Sequence, residues 1–137
     1  MSRIAVPTAT ADGMVIVQTM HDCTVATIAC GSLKDKGANS VLNHLSRLAM
    51  HSGGRLVVSL DPVSEISLGT LRGVLDLHQR CRDLGGRLVL CCMPSEARRV
   101  MNTIAGHTTP TVARSAREAV AALRGKTRRQ GIFRRAA

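Results

Sequence analysis

The segment DPVSEISLGTLRG, Asp61 to Gly73, places three hydroxyls, Ser64, Ser67 and Thr70, across a strand end, a turn and a helix start. A helix N-terminus offers free N–H groups and partial positive charge, so such a turn can accept a phosphate. The same residues also have structural duties. Ser67 fits an N-cap, whose loss costs about 1 kcal/mol. Ser64 reads as a turn residue and Thr70 as an exposed first-turn residue. Between them stands Leu68, which has no hydroxyl. It is either a core anchor or an apolar contact for a partner, and partial exposure is the reading we favour.

Other chemistry is hard to assemble. The chain lacks G-x-S-x-G, G-x-x-x-x-G-K-[ST] and G-x-G-x-x-G. Its nine acidic residues do not pair at catalytic spacing. Of five histidines, His78 falls on an apolar helical face and reads as packed, while His44, His51 and His107 read as solvated or helix-end residues. The cysteines are Cys23, Cys30, Cys81, Cys91 and Cys92. Cys91 and Cys92 are adjacent and point to opposite faces of a strand, so they do not make a metal-binding C-x-x-C. Most read as small buried hydrophobes. No catalytic residue, metal or cofactor is expected.

The 137 residues fit one domain able to bury a core without staples. Without Trp or Tyr and with Phe133 alone as an aromatic, that core must be aliphatic. No signal peptide and no apolar run long enough to span a membrane is evident, and the odd cysteine count fits a reducing cytoplasm. The net charge is +10, and Lys126, Arg128, Arg129, Arg134 and Arg135 crowd the end. Three parts are expected: an irregular segment 1–13, a domain 14–124, and a basic, disordered tail 125–137. The tail can attract nucleic acid weakly, but no aromatics interleave with bases in the body. No membrane partner is expected.

The elements follow from periodicity. Residues 14–20 and 24–30 are β-branched and read as a hairpin, and 31–40 as a loop. A helix is predicted over 39–50 from Val41, Leu42, Leu45, Leu48 and Ala49. The words GGRLVVSLDP and GGRLVLCCMP give buried strands at 55–60 and 87–93. They read as two equivalent helix–turn–strand steps. Between them a Ser67-capped helix carries the stripe Leu68, Leu71, Val74, Leu75, His78 and Cys81. Ser95 caps a helix with Ala97, Val100, Met101 and Ile104 inward, ended by Gly106; 109–113 is an edge strand; and Ser115 with Glu118 forms a capping box for a last helix. The order β-β-α-β-α-β-α-β-α predicts an α/β fold with a small, mixed, mainly parallel sheet packed by helices.

This order and the stretch from Gly53 to Gly106 resemble a STAS domain of the anti-sigma factor antagonist type. The family turn is similar to D-L-S-x-V-x-x-I-[DS]-S-[SA]-G-L-R. Val57, Val58, Leu60, Val63, Ile66, Ser67, Leu71 and Arg72 fall into it, and GSLK (31–34) matches the earlier G-x-L-D loop with Lys34 in place of the acid. The resemblance implies partner switching. An unphosphorylated antagonist holds a kinase-type anti-sigma factor, frees a sigma factor for transcription, and is released when the kinase phosphorylates a serine at the helix start. That serine aligns with Leu68, Gly69 holds the next place, and the following glycine aligns with Thr70. Three readings stay open: the switch is lost; Ser67 or Thr70 is the phosphorylated residue; or another input acts, such as a ligand or thiol oxidation.

The function expected is non-enzymatic binding of an anti-sigma factor or a similar regulator. The contact surface expected is Lys34, Ser64, Ser67, Leu68, Gly69, Thr70, Arg72 and Asp76, with Gln79 further along the helix. The alternative is a STAS-like module that senses a small ligand or nucleotide. Partner, signal and oligomeric state are not legible.

Overall fold

The structure, a computed structural model, describes residues 8–9, 15–34, 36–61, 63–105 and 108–124. The predicted hairpin forms as β2 (Val15–Met20) and β3 (Cys23–Ile28). His21 and Asp22 make its turn, both at positive φ (49° and 71°), a tight two-residue connection of the kind hairpins favour. Within the segment read as irregular, Thr8–Ala9 forms β1, antiparallel to β2.

Residues 31–40 are not the plain loop expected. Ser32–Leu33 is a short strand, β4, and α1 already begins at Lys36, running to His51. Ala38 is buried in register with Val41, Leu45 and Ala49, so the apolar stripe extends one turn earlier than the periodicity was read. β5 (Arg55–Ser59), β6 (Glu65–Ile66), α2 (Leu68–Asp83), β7 (Arg87–Cys91), α3 (Ser95–Ala105) and β8 (Thr111–Ala113) follow, and a helix over 116–124, α4, completes the described chain.

The main sheet has the order β1-β2-β3-β5-β7-β8. Its first two pairings are antiparallel and the other three parallel, the mixed, mainly parallel sheet expected. Alternation along each strand divides the core. Ile28, Leu56, Val58, Leu88 and Leu90 face the buried stripes of α1, α2 and α3. Cys23, Val25, Val57, Val89 and Cys91 face Ala119, Val120 and Leu123 of α4.

The repeated Gly-Gly-Arg words have one physical explanation. Gly86 N–H donates to the Cys81 carbonyl (2.9 Å) and Gly85 N–H to the Arg82 carbonyl (3.0 Å), with Gly85 at φ +91°. These are the paired bonds of a Schellman end. At the end of α1, Gly54 N–H likewise donates to the Ala49 carbonyl (2.8 Å), and Gly53 stands at φ +67°. The two ends then abut: a Cβ on Gly54 would lie 2.4 Å from the Cys81 carbonyl oxygen, and one on Gly86 would lie 2.4 Å from the Gly54 carbonyl group. Further up, a Cβ on Gly73 would meet the Leu42 side chain at 2.5 Å, which marks a close approach of α1 and α2.

Two helical faces differ from expectation. Ile104 is exposed, because Ala97 and Met101 make the buried line of α3. On α2 the buried set includes Leu77, while Leu75 is only partly covered. His78 is packed as predicted. His44 is less solvated than expected: its Nε2, like His78 Nδ1, is buried without a hydrogen-bond partner among the described residues.

Gly54→Ala should lower stability by about 1–3 kcal/mol, because backbone must move. Gly53→Ala, strained in φ but with open space around it, should cost about 1 kcal/mol. Urea unfolding followed by far-ultraviolet circular dichroism measures both.

Burial, then the charges of Arg82 and Arg87, hold the His78 pKa below the usual 6.5. The unfolded chain therefore takes up the proton first. Stability should be full above about pH 6.5 and should fall as pH drops below it, levelling off below the folded pKa. The urea midpoint should show this slope, and His78→Leu should reduce it, the remainder coming from His44, which burial also holds below its usual value.

Candidate functional site

The expected turn sits at the carboxyl ends of the parallel strands, the usual place for sites in such sheets. β6 pairs in parallel with β4, Ser32 opposite Glu65 and Leu33 opposite Ile66. Ser64 N–H donates to the Gly31 carbonyl at 2.9 Å, and Ser64 Oγ donates to the same oxygen at 3.3 Å. Lys34 Nζ lies 3.2 Å from Glu65 Oε1, an exposed pair that adds little stability but joins the two segments. The loop 31–34 and the turn 63–67 are thus one unit.

Ser67 is the N-cap of α2, in extended backbone (φ −77°, ψ 161°). Its Oγ accepts the Thr70 N–H at 3.1 Å and lies 2.9 Å from Thr70 Oγ1. Thr70 Oγ1 donates to the Leu33 carbonyl at 2.8 Å. A carbonyl only accepts, so the single Thr70 hydroxyl proton goes there. The proton shared between the two hydroxyls is therefore that of Ser67. The Ser67 oxygen thus donates its proton to the Thr70 hydroxyl and accepts the Thr70 N–H.

Thr70 was expected to be exposed, and this is corrected: it is 5% exposed. It belongs to the face of α2 that meets β4, where its buried hydroxyl is satisfied by the Leu33 carbonyl. The helical pattern alone could not show this, because β4 was unrecognised.

Leu68 is 46% exposed, in accord with the partial exposure favoured above. It overlooks an open groove of about 450 Å³ with an apolar floor of Ile66, Leu71, Ala97 and Val100, bordered by Lys34, Ser64, Glu65 and Glu96. Sequence reasoning missed Glu65, Glu96 and Val100, since nothing in the order of elements brings α3 beside this turn. Gly69 is exposed and a Cβ there would find only Ser67 Oγ, at 3.9 Å. Arg72, Asp76 and Gln79 lie exposed along α2, and Gln79 bonds Asp83. They do not line the groove.

Among the described residues no group of His, Cys, Asp or Glu could hold a metal ion. Burial pushes the Cys81 and Cys91 thiols up to about 11, so neither is a ready nucleophile. The site offers an exposed apolar side chain beside a groove rimmed by charges, with a hydroxyl pair whose protons are both engaged.

The STAS domain family model matches residues 16–119, and the chain belongs to that family. Its fold is that of the anti-sigma factor antagonist SpoIIAA in its unphosphorylated form: TM-score 0.58 and 14% identity, over 76% of this chain and 91% of that one. SLC26A9 is also similar, with TM-score 0.65 and 11% identity, over 92% of this chain and 24% of that one. No curated protein matches the sequence.

Thr70→Val should loosen the 31–34 segment and cost about 1 kcal/mol, the Leu33 carbonyl still receiving the Ser67 N–H at 3.1 Å. Hydrogen exchange at residues 31–34 should rise more than at β5. An unchanged exchange pattern would show that the hydroxyl bond does not hold the segment.

Proposed function

We propose that this chain is a non-enzymatic regulatory domain that binds an anti-sigma factor, or a similar kinase-type regulator, through the turn 63–71 and the groove beside it. One observation carries the reading: Leu68 stands half out of the first turn of α2, at the position where the family turn places its phosphorylated serine. The likeness in fold to an anti-sigma factor antagonist supports the choice of partner.

An exposed leucine over an apolar floor gains by being covered, at roughly 25 cal/mol per Å² of buried apolar area. Charges at the rim, Lys34, Glu65 and Glu96, set orientation more than affinity. In this reading the complex has no off-switch at residue 68. Ser67 is a poor substitute, since its proton and one of its lone pairs serve the helix start. Thr70 is worse, being buried.

The test uses a kinase-type anti-sigma factor with ATP. Wild-type chain should stay bound and unmodified. Leu68→Ser should be phosphorylated and released, and Leu68→Asp should bind at least about tenfold more weakly, as expected for a charge placed in an apolar contact. If Leu68→Asp leaves binding to every candidate partner unchanged, the proposal fails.

The groove also favours a second reading, a small-ligand sensor, because its 450 Å³ lies in the range of ligand pockets. Thermal-shift screening with nucleotides and lipids separates the two, since stabilisation scales as RT ln(1 + [L]/Kd).

A further inference from the structure

The opposite end of the sheet carries a feature the proposed docking site does not use. Arg55 and Arg87, from the two Gly-Gly-Arg words, start neighbouring parallel strands and sit side by side in register. The charges of Arg55 and Arg124 both reach the Cys23 thiol. Arg82, in the last turn of α2, is close enough to act on Arg87, whose guanidinium burial holds below its usual value. Four guanidinium groups from the sheet, α2 and α4 therefore gather at the amino ends of the strands. Neither ion pair of the described residues includes any of them. The acids at this end are Asp22, in the hairpin turn, and Asp83, which accepts a bond from Gln79.

Exposed apolar side chains lie at the same end. Among the described residues four large hydrophobics are exposed, and three of them are Met50 at 60%, Leu84 at 42% and Ile104 at 37%. Met50 and Ile104 are in the last turns of α1 and α3, and Leu84 is the C-cap of α2. All three helices are crossovers between parallel strands, so all three end beneath the amino ends of the sheet. Gly53 and Gly85 are exposed in the turns between them, where no side chain keeps a surface at a distance. Beyond Arg124 the sequence continues with Lys126, Arg128, Arg129, Ile132, Phe133, Arg134 and Arg135.

Against the expectation of no membrane partner drawn from the sequence, we infer that the amino end of the sheet is a peripheral membrane-binding face: Arg55, Arg82, Arg87 and Arg124 meet anionic lipid headgroups while Met50, Leu84 and Ile104 enter the interface. Basic residues attract an anionic leaflet, and apolar side chains add burial in the headgroup region. A nucleic-acid backbone would use the arginines but would leave three exposed apolar side chains without a role. The surface lies at the other end of the strands from Leu68, so a membrane-bound chain keeps its groove open. The face exists only in the folded chain, where residues from 50 to 124 come together.

The experiment is co-sedimentation of the full chain with vesicles. Phosphatidylserine–phosphatidylcholine vesicles should bind it, pure phosphatidylcholine vesicles should not, and high salt should release it. Arg55→Gln with Arg87→Gln should weaken binding on the order of 25-fold, roughly fivefold for each charge. Arg82→Gln with Arg124→Gln, at exposed positions, should do the same if the first pair fails to fold. Met50→Gln with Leu84→Gln should weaken binding while leaving its salt dependence. Leu68→Asp should leave vesicle binding unchanged, which keeps this result separate from that of the docking site. Equal binding to neutral vesicles, or binding unaffected by both arginine pairs, would overturn the inference. So would salt-sensitive binding of duplex DNA with none to anionic vesicles, which would assign the arginines to nucleic acid.

Discussion

Two stretches of bare backbone in contact set the dimensions of this domain. Gly54 and Gly86 touch with no room for a Cβ on either, so the ends of α1 and α2 are held level and β5 and β7 start level. Both helices have 16 residues, about 24 Å of rise. Level at one end and equal in length, they are level at the other. There each is preceded by a two-residue strand, β4 before α1 and β6 before α2, and these two strands pair. The close approach at Gly73 and Leu42 completes the constraint between the ends. The turn holding Leu68 is thus positioned by glycines a full helix length away.

The same geometry explains how the hydroxyls are used. Ser67, Thr70 and the Leu33 carbonyl form a short chain of bonds with every proton accounted for. Its members come from the two paired steps, one from the 31–34 segment and two from the start of α2. A turn that looks rich in acceptors for a phosphoryl group uses its hydroxyls to fasten one step to the other. The apolar residue between them, Leu68, is left exposed.

Much of this was readable in advance because the signals were local. Periodicity, caps and the Gly-Gly stops marked the α/β order and the capping role of Ser67, though the same periodicity put Leu68 on the apolar stripe it stands out of. What escaped was non-local. The burial of Thr70 depends on a two-residue strand 37 positions earlier, too short to show alternation. The contribution of α3 to the groove, through Val100 and Glu96, depends on where a crossover lands. Ile104 was read as inward because it continues an apolar line, but α3 needs only Ala97 and Met101 to cover its part of the sheet. Packing against a finite surface, rather than pattern, decided which apolar residues were covered.

Leu68 has no atom on which a phosphate ester can form. An affinity carried by such a residue does not depend on the chain's covalent history. In the proposed reading it would be the same for a newly made molecule and an old one, and would respond to kinase and phosphatase acting at residue 68 of this turn only through the partner. Occupancy of the turn then follows mass action between the two concentrations. A surface of that kind works as a graded titrant, whose set point is fixed by synthesis and turnover and whose response is as slow as those processes.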